Sequence, residues 1–130
     1  MTPKTSVRSA LLVNAGFSAA SGLVLTLAPG AIGEAIGVDA QVLLRAFGLV
    51  LAVHAVMLLT VVRLPNVERW AKLNLAAIAP YPVAMVVVAA TVAGSGTGVA
   101  LVLADGVAIG LIAAAIAAGL RDRPAVVAHT

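Results

Sequence analysis

Asn14, Ser18, Arg45, His54, Tyr81 and Asp105 each interrupt a long apolar run, and their side chains have the capacity for chemistry. Asn14, His54 and Tyr81 both donate and accept hydrogen bonds. Measured from the ends of their runs they fall at comparable depth, and Ser18 and Ser21 continue the Asn14 stripe. Such a set makes either a pocket for a carbonyl, a hydroxyl or a proton, or an interhelical hydrogen-bond cluster that fixes packing. His54, Tyr81 and Asp105 are also the candidate catalytic acids and bases, because general acid–base chemistry needs such a group within hydrogen-bond reach of the substrate. Arg45 and Asp105 have opposite charges and lie about one and two turns from the same end of their runs. A charge in an apolar span is costly and is usually paired. The sequence therefore predicts a structural Arg45–Asp105 ion pair; the alternative is that Arg45 extends its guanidinium to the membrane surface. Arg45 and His54, nine residues apart, face about 180° from each other on an ideal helix. The pair and the Asn14–His54–Tyr81 set are thus expected as separate sites.

Inventory excludes several chemistries. There is no cysteine, hence no disulfide, thiolate catalysis or Cys-ligated zinc. His54 has one companion histidine, His129 near the C-terminus, so no multi-histidine metal or haem site is expected. No Ser–His–acid spacing and no phosphate-cradling glycine loop stands out. Neither a metal nor another cofactor is implied. The net charge of +3 does not point to nucleic acid, because no basic patch with interleaved aromatic residues accompanies it.

The elements that must position these residues follow from hydropathy. The 130 residues are 62% hydrophobic and 10% charged, against ~25% charged in soluble domains. Four apolar runs, at about 7–28, 41–62, 70–93 and 98–120, are each long enough to cross a ~30 Å hydrocarbon core as a helix. The fold class is all-α, a four-helix transmembrane bundle in a single domain spanning 1–130. Pro29-Gly30 stops the first helix, 31–38 reads as a short interfacial turn or helix, and Asp39 is a candidate N-cap for the second. The stretch 63–69 is a charged connection that ends at Trp70, 94–97 is a tight loop, and the tail from Arg121 is polar and then loose. Lys4, Arg8, Arg63, Arg69, Lys72, Arg121 and Arg123, seven of the eight basic residues, fall at one end of this arrangement. The positive-inside rule puts that end, with both termini, in the cytoplasm, and the bilayer is the first partner. A cleaved signal peptide is disfavoured because the first run exceeds the usual apolar core of one.

Packing signals lie in small residues, since helices in lipid associate through close approach. Ala15, Ala19 and Gly22, then Gly48, Ala52 and Ala55, and then Gly106 and Gly110 form such stripes. They predict contacts within the chain, with a homo-oligomer face as the alternative. Pro80-Tyr81-Pro82 should bend or open the third helix and free the carbonyls of Ala76 and Ile78, making either a plain kink or a break that lines a pocket.

Asn14, Ser21-Gly22, Pro29-Gly30, Ile36-Gly37 and Leu44-Arg45 followed by Gly48 resemble a broad group of small bacterial four-helix membrane proteins, loosely DoxX-like. The resemblance covers about residues 10–60, and the stronger signatures of that group are not evident. It implies the four-helix fold and an inner-membrane location and brings no activity with it. Small multidrug exporters have a similar size, but they carry a glutamate in the first helix where this chain has Asn14. Three function classes are open. The favoured one binds or carries a small lipophilic molecule at Asn14, Ser18, His54 and Tyr81. The second is a membrane-embedded isomerase or cyclase, and the third a structural subunit or assembly factor of a membrane complex.

Overall fold

The computed structural model describes residues 3–91 and 96–122, with side chains from Ser6 onward. The described residues form six helices and no strand: α1 Pro3–Leu27, α2 Pro29–Ile36, α3 Gln41–Val61, α4 Val67–Ile78, α5 Tyr81–Thr91 and α6 Gly96–Arg121. Four stretches are long and apolar enough to cross a membrane: Ser6–Leu27, Gln41–Val61, Val67–Thr91 and Gly96–Arg121. The molecule is an all-α, multi-pass membrane protein. Helices suit such a chain because lipid offers no partner to a free backbone N–H or C=O.

The third span is two helices. Pro80 and Pro82 lack the N–H groups that would reach the carbonyls of Ala76 and Ile78, and the helix opens at Ala79–Pro80. Ala84 N–H to the Pro80 carbonyl, at 3.1 Å, restarts the ladder. This is the break expected from the sequence. Between the first two spans, α2 starts with Pro29 in its first turn, where the missing N–H costs nothing. It ends at Gly37, whose φ of 76° lies in the left-handed region. Gly37 N–H bonds the Glu34 carbonyl and Val38 N–H the Gly33 carbonyl, so two end carbonyls are satisfied. Asp39 does not cap α3: the cap position is Ala40, and no side chain bonds the first amides, because the helix starts one residue later than a cap at Asp39 requires. Gly96 and Thr97, expected in a loop, open α6, while 94–95 lie outside the described residues, as does His129.

Glycines set how closely the spans approach. A Cβ on Gly22 would sit 2.8 Å from Ala52 N and Gly48 O, and one on Gly48 would sit 2.8 Å from Thr26 N. Backbone meets backbone here, and α1 and α3 form the most extensive helix pair. On α6, a Cβ on Gly106 would meet Met85 Cβ at 2.9 Å, and one on Gly110 would meet Pro82 Cγ at 3.5 Å. The GxxxG stripe thus receives α5 of the same chain.

The spans do not close into a symmetric square. α1 packs on α2, α3, α4 and α6, whereas α5 packs on α6 and the adjoining α4. α3 packs chiefly on α1 and α2, and it meets α4 through the His54–Asn74 hydrogen bond and the shared core at the basic end. The continuous core gathers at one end: Val7, Leu11 and Ala15 meet Leu58 and Val61, Val67 and Ala71, and Ile109, Ile112 and Ile116. Arg8 closes that basic end. Its Nε donates to the Val62 carbonyl at 2.9 Å and its Nη2 to the Leu64 carbonyl at 3.3 Å, meeting carbonyls that the end of α3 leaves free. Toward the other end the chain splits into an α1–α3 pair and an α5–α6 pair, with α2 touching α1, α3 and α6.

Candidate functional site

Above the basic-end core a chain of side-chain hydrogen bonds crosses from α1 through α4 to α3. Ser18 Oγ donates to Asn14 Oδ1 at 3.3 Å, one turn along α1. Asn14 Nδ2 donates to Asn74 Oδ1 at 2.9 Å. Asn74 Nδ2 lies 3.1 Å from His54 Nε2. Asn14, Ser18 and Asn74 are 1%, 2% and 5% exposed, so each polar group needs its partner inside the protein. All the bonds run in one direction. Once Asn14 donates to Asn74 Oδ1, only the Asn74 amide nitrogen is left to face His54, and Nε2 must accept. In this arrangement Nε2 is the accepting nitrogen and Nδ1 is the one left to carry the ring proton. His54 is half-buried where α3 parts from α4, and its Nδ1–H has no partner among the described residues.

Asn74 was not apparent from sequence reasoning. It follows Trp70 and Lys72 closely and looks like a continuation of the charged connection. A signal existed, because Val67, Ala71 and Asn74 fall on one helical stripe, and all three are buried. The expected start at Trp70 hid that stripe, since α4 begins at Val67 and sets Asn74 two turns deep.

Tyr81 does not join Asn14 and His54. At the start of α5, past the proline break, its hydroxyl donates to Asp105 Oδ2 on α6 at 2.5 Å, the short length typical of a hydroxyl on a carboxylate. Gly106, next to Asp105, admits α5 to that distance. Arg45 and Asp105 do not meet either. Arg45 is exposed on α3, α1 lies between α3 and α6, and neither residue has an ion-pair partner among the described residues. The six residues singled out by sequence therefore divide differently from the expectation. Ser18, Asn14 and His54 belong to one chain through Asn74, Tyr81 and Asp105 form a second site, and Arg45 stands alone.

Asn14 and Ser18 are sealed, so neither presents a surface to a ligand. A shallow, open concavity lies elsewhere, lined by Asp39, Ala40, Gln41, Val42, Leu43 and Ala46. Among the described residues no three His, Asp or Glu side chains gather as a metal site would require. Comparisons with protein-family models, with curated proteins and with solved structures find no match for this chain.

Proposed function

We propose that this protein binds a small lipophilic molecule bearing a hydrogen-bond acceptor, and that His54 Nδ1–H is the group that recognises it. The supporting observation is the amide chain, which places the Asn74 amide nitrogen on His54 Nε2 and leaves Nδ1 unused at a half-exposed position. A free N–H in hydrocarbon is unfavourable by several kcal/mol, so an acceptor arriving from the bilayer between α3 and α4 gains what the protein leaves open. Asn14, Ser18 and Asn74 position the ring and do not touch the ligand. Binding is favoured over acid–base catalysis because His54 Nε2 is engaged by Asn74 and the hydroxyl of Tyr81 by Asp105, which leaves no second free candidate acid or base beside His54 among the described residues. The bilayer concerned is a bacterial inner membrane, by the DoxX-like resemblance of residues 10–60, and the basic end faces the cytoplasm by the positive-inside rule.

Gently extracted protein examined by native mass spectrometry tests this reading. Wild type should carry a sub-kilodalton adduct, and His54→Phe should lose it while its thermal unfolding midpoint stays within a few degrees. An adduct retained undiminished by His54→Phe, or wild type free of any adduct, rejects the proposal.

A further inference from the structure

Arg45 is the one basic residue remote from the basic end, and Asp105 is the one acid in the interior of a span. Each lacks an ion-pair partner among the described residues. Ionised groups in hydrocarbon are tolerated when they pair, yet α1 keeps these two apart within one chain. The Asp105 carboxylate is half satisfied: Oδ2 accepts from Tyr81, and Oδ1 has no partner among the described residues. Arg45 projects from a helix whose surface away from α1 is unpacked and apolar, with Val42, Leu49 and Val53 exposed around it.

We infer that a second copy of this chain completes the Tyr81–Asp105 site with its Arg45. The occupant is set by charge complementarity, because every copy offers one cation and one anion, Arg45 and Asp105, that lie within spans away from the basic end without an ion-pair partner among the described residues. Two copies related by a two-fold axis along the membrane normal form two identical pairs. Such an axis leaves depth unchanged, so the match between the residues carries over from one chain to two. Arg45 lies four residues into α3 and Asp105 nine residues into α6, both counted from the end opposite the basic one. These positions are ~6 Å and ~14 Å along their helices, a difference that the length of an arginine side chain bridges. The contact joins α3 of one copy to the α5–α6 pair of the other and covers faces that the monomer leaves unpacked.

Charge reversal tests the inference, because the pattern of rescue separates pairing between copies from pairing within one. In lipid nanodiscs, wild type should be dimeric. Arg45→Asp alone and Asp105→Arg alone should each self-associate about thirtyfold or more weakly, the lower bound for removing one partner of a buried charge pair. Differently tagged Arg45→Asp and Asp105→Arg chains, co-expressed, should associate with each other, since that mixed dimer restores both pairs. Should the reversed chains fail to accumulate, Arg45→Gln and Asp105→Asn carry the test and should weaken self-association to the same degree. A monomeric wild type, mixed chains that associate no better than either alone, or neutral variants that dimerise like wild type would each overturn the inference. The last result would mean that Arg45 is satisfied by lipid headgroups and Asp105 by a mobile cation.

Discussion

With Asn14 on one side and His54 on the other, Asn74 uses both ends of its amide, one as acceptor and one as donor. That duty cannot pass to a residue of the same shape and different chemistry. In Asn74→Asp an ionised carboxylate accepts on both sides, so Asn14 keeps its partner while His54 must turn a protonated nitrogen toward position 74. The expected result is that the proton moves from Nδ1 to Nε2, visible in the 15N shifts of the imidazole. A wild-type ring already protonated at Nε2 would refute the one-way chain. Asn74→Leu leaves two neighbours unpaired and should lower stability by ~1–3 kcal/mol in detergent unfolding. At this scale little of the site was legible beforehand. Asn14, Ser18 and His54 stood out as polar residues in apolar runs, whereas their joining residue lay among charges. Tyr81 and Asp105 were visible individually, and their partnership depended on how α5 leans on α6, which local pattern does not encode.

At the scale of helices the sequence was more informative, because the physics there is local. Span length follows from hydropathy, and the opening at Ala79–Pro80 follows from two missing N–H groups. Gly22, Gly48, Gly106 and Gly110 were readable as contact residues, although the partner each would meet was not. The Arg45–Asp105 pair failed at this scale, because which helices are neighbours is not written in local pattern, and α1 stands between α3 and α6. Gly48 and Gly16 give a matched pair of tests. Gly48→Leu forces its side chain into the backbone of α1 and should destabilise the fold by ~1–3 kcal/mol or more. Gly16→Leu, where an added Cβ meets nothing within 4 Å, should stay within ~0.5 kcal/mol. Thermal unfolding of both variants in the same detergent decides it; equal losses would contradict the α1–α3 contact.

For the whole molecule, the described basic side chains and the helix order agree on a single polarised bundle: Arg8, Arg63 and Arg121 gather where Val7 meets Gly119 and Arg8 meets Val62. The orientation proposed for it can be measured directly, since the chain has no cysteine to confuse a reporter. Asn66→Cys should react with a membrane-impermeant maleimide only after the cells are opened, and Asp39→Cys should react in intact cells. The reverse pattern would place the basic end outside.

The central position of α1 also has a consequence in time. Synthesis delivers this helix before α2, α3, α4 and α6, all of which pack on it. Each of those helices therefore enters the bilayer with its template already present, and the α1–α3 contact can form while the rest of the chain is still on the ribosome. α5 is the exception. Its main partner, α6, is made after it, so the half-span beyond the proline break must wait in lipid until the last helix arrives and Tyr81 finds Asp105.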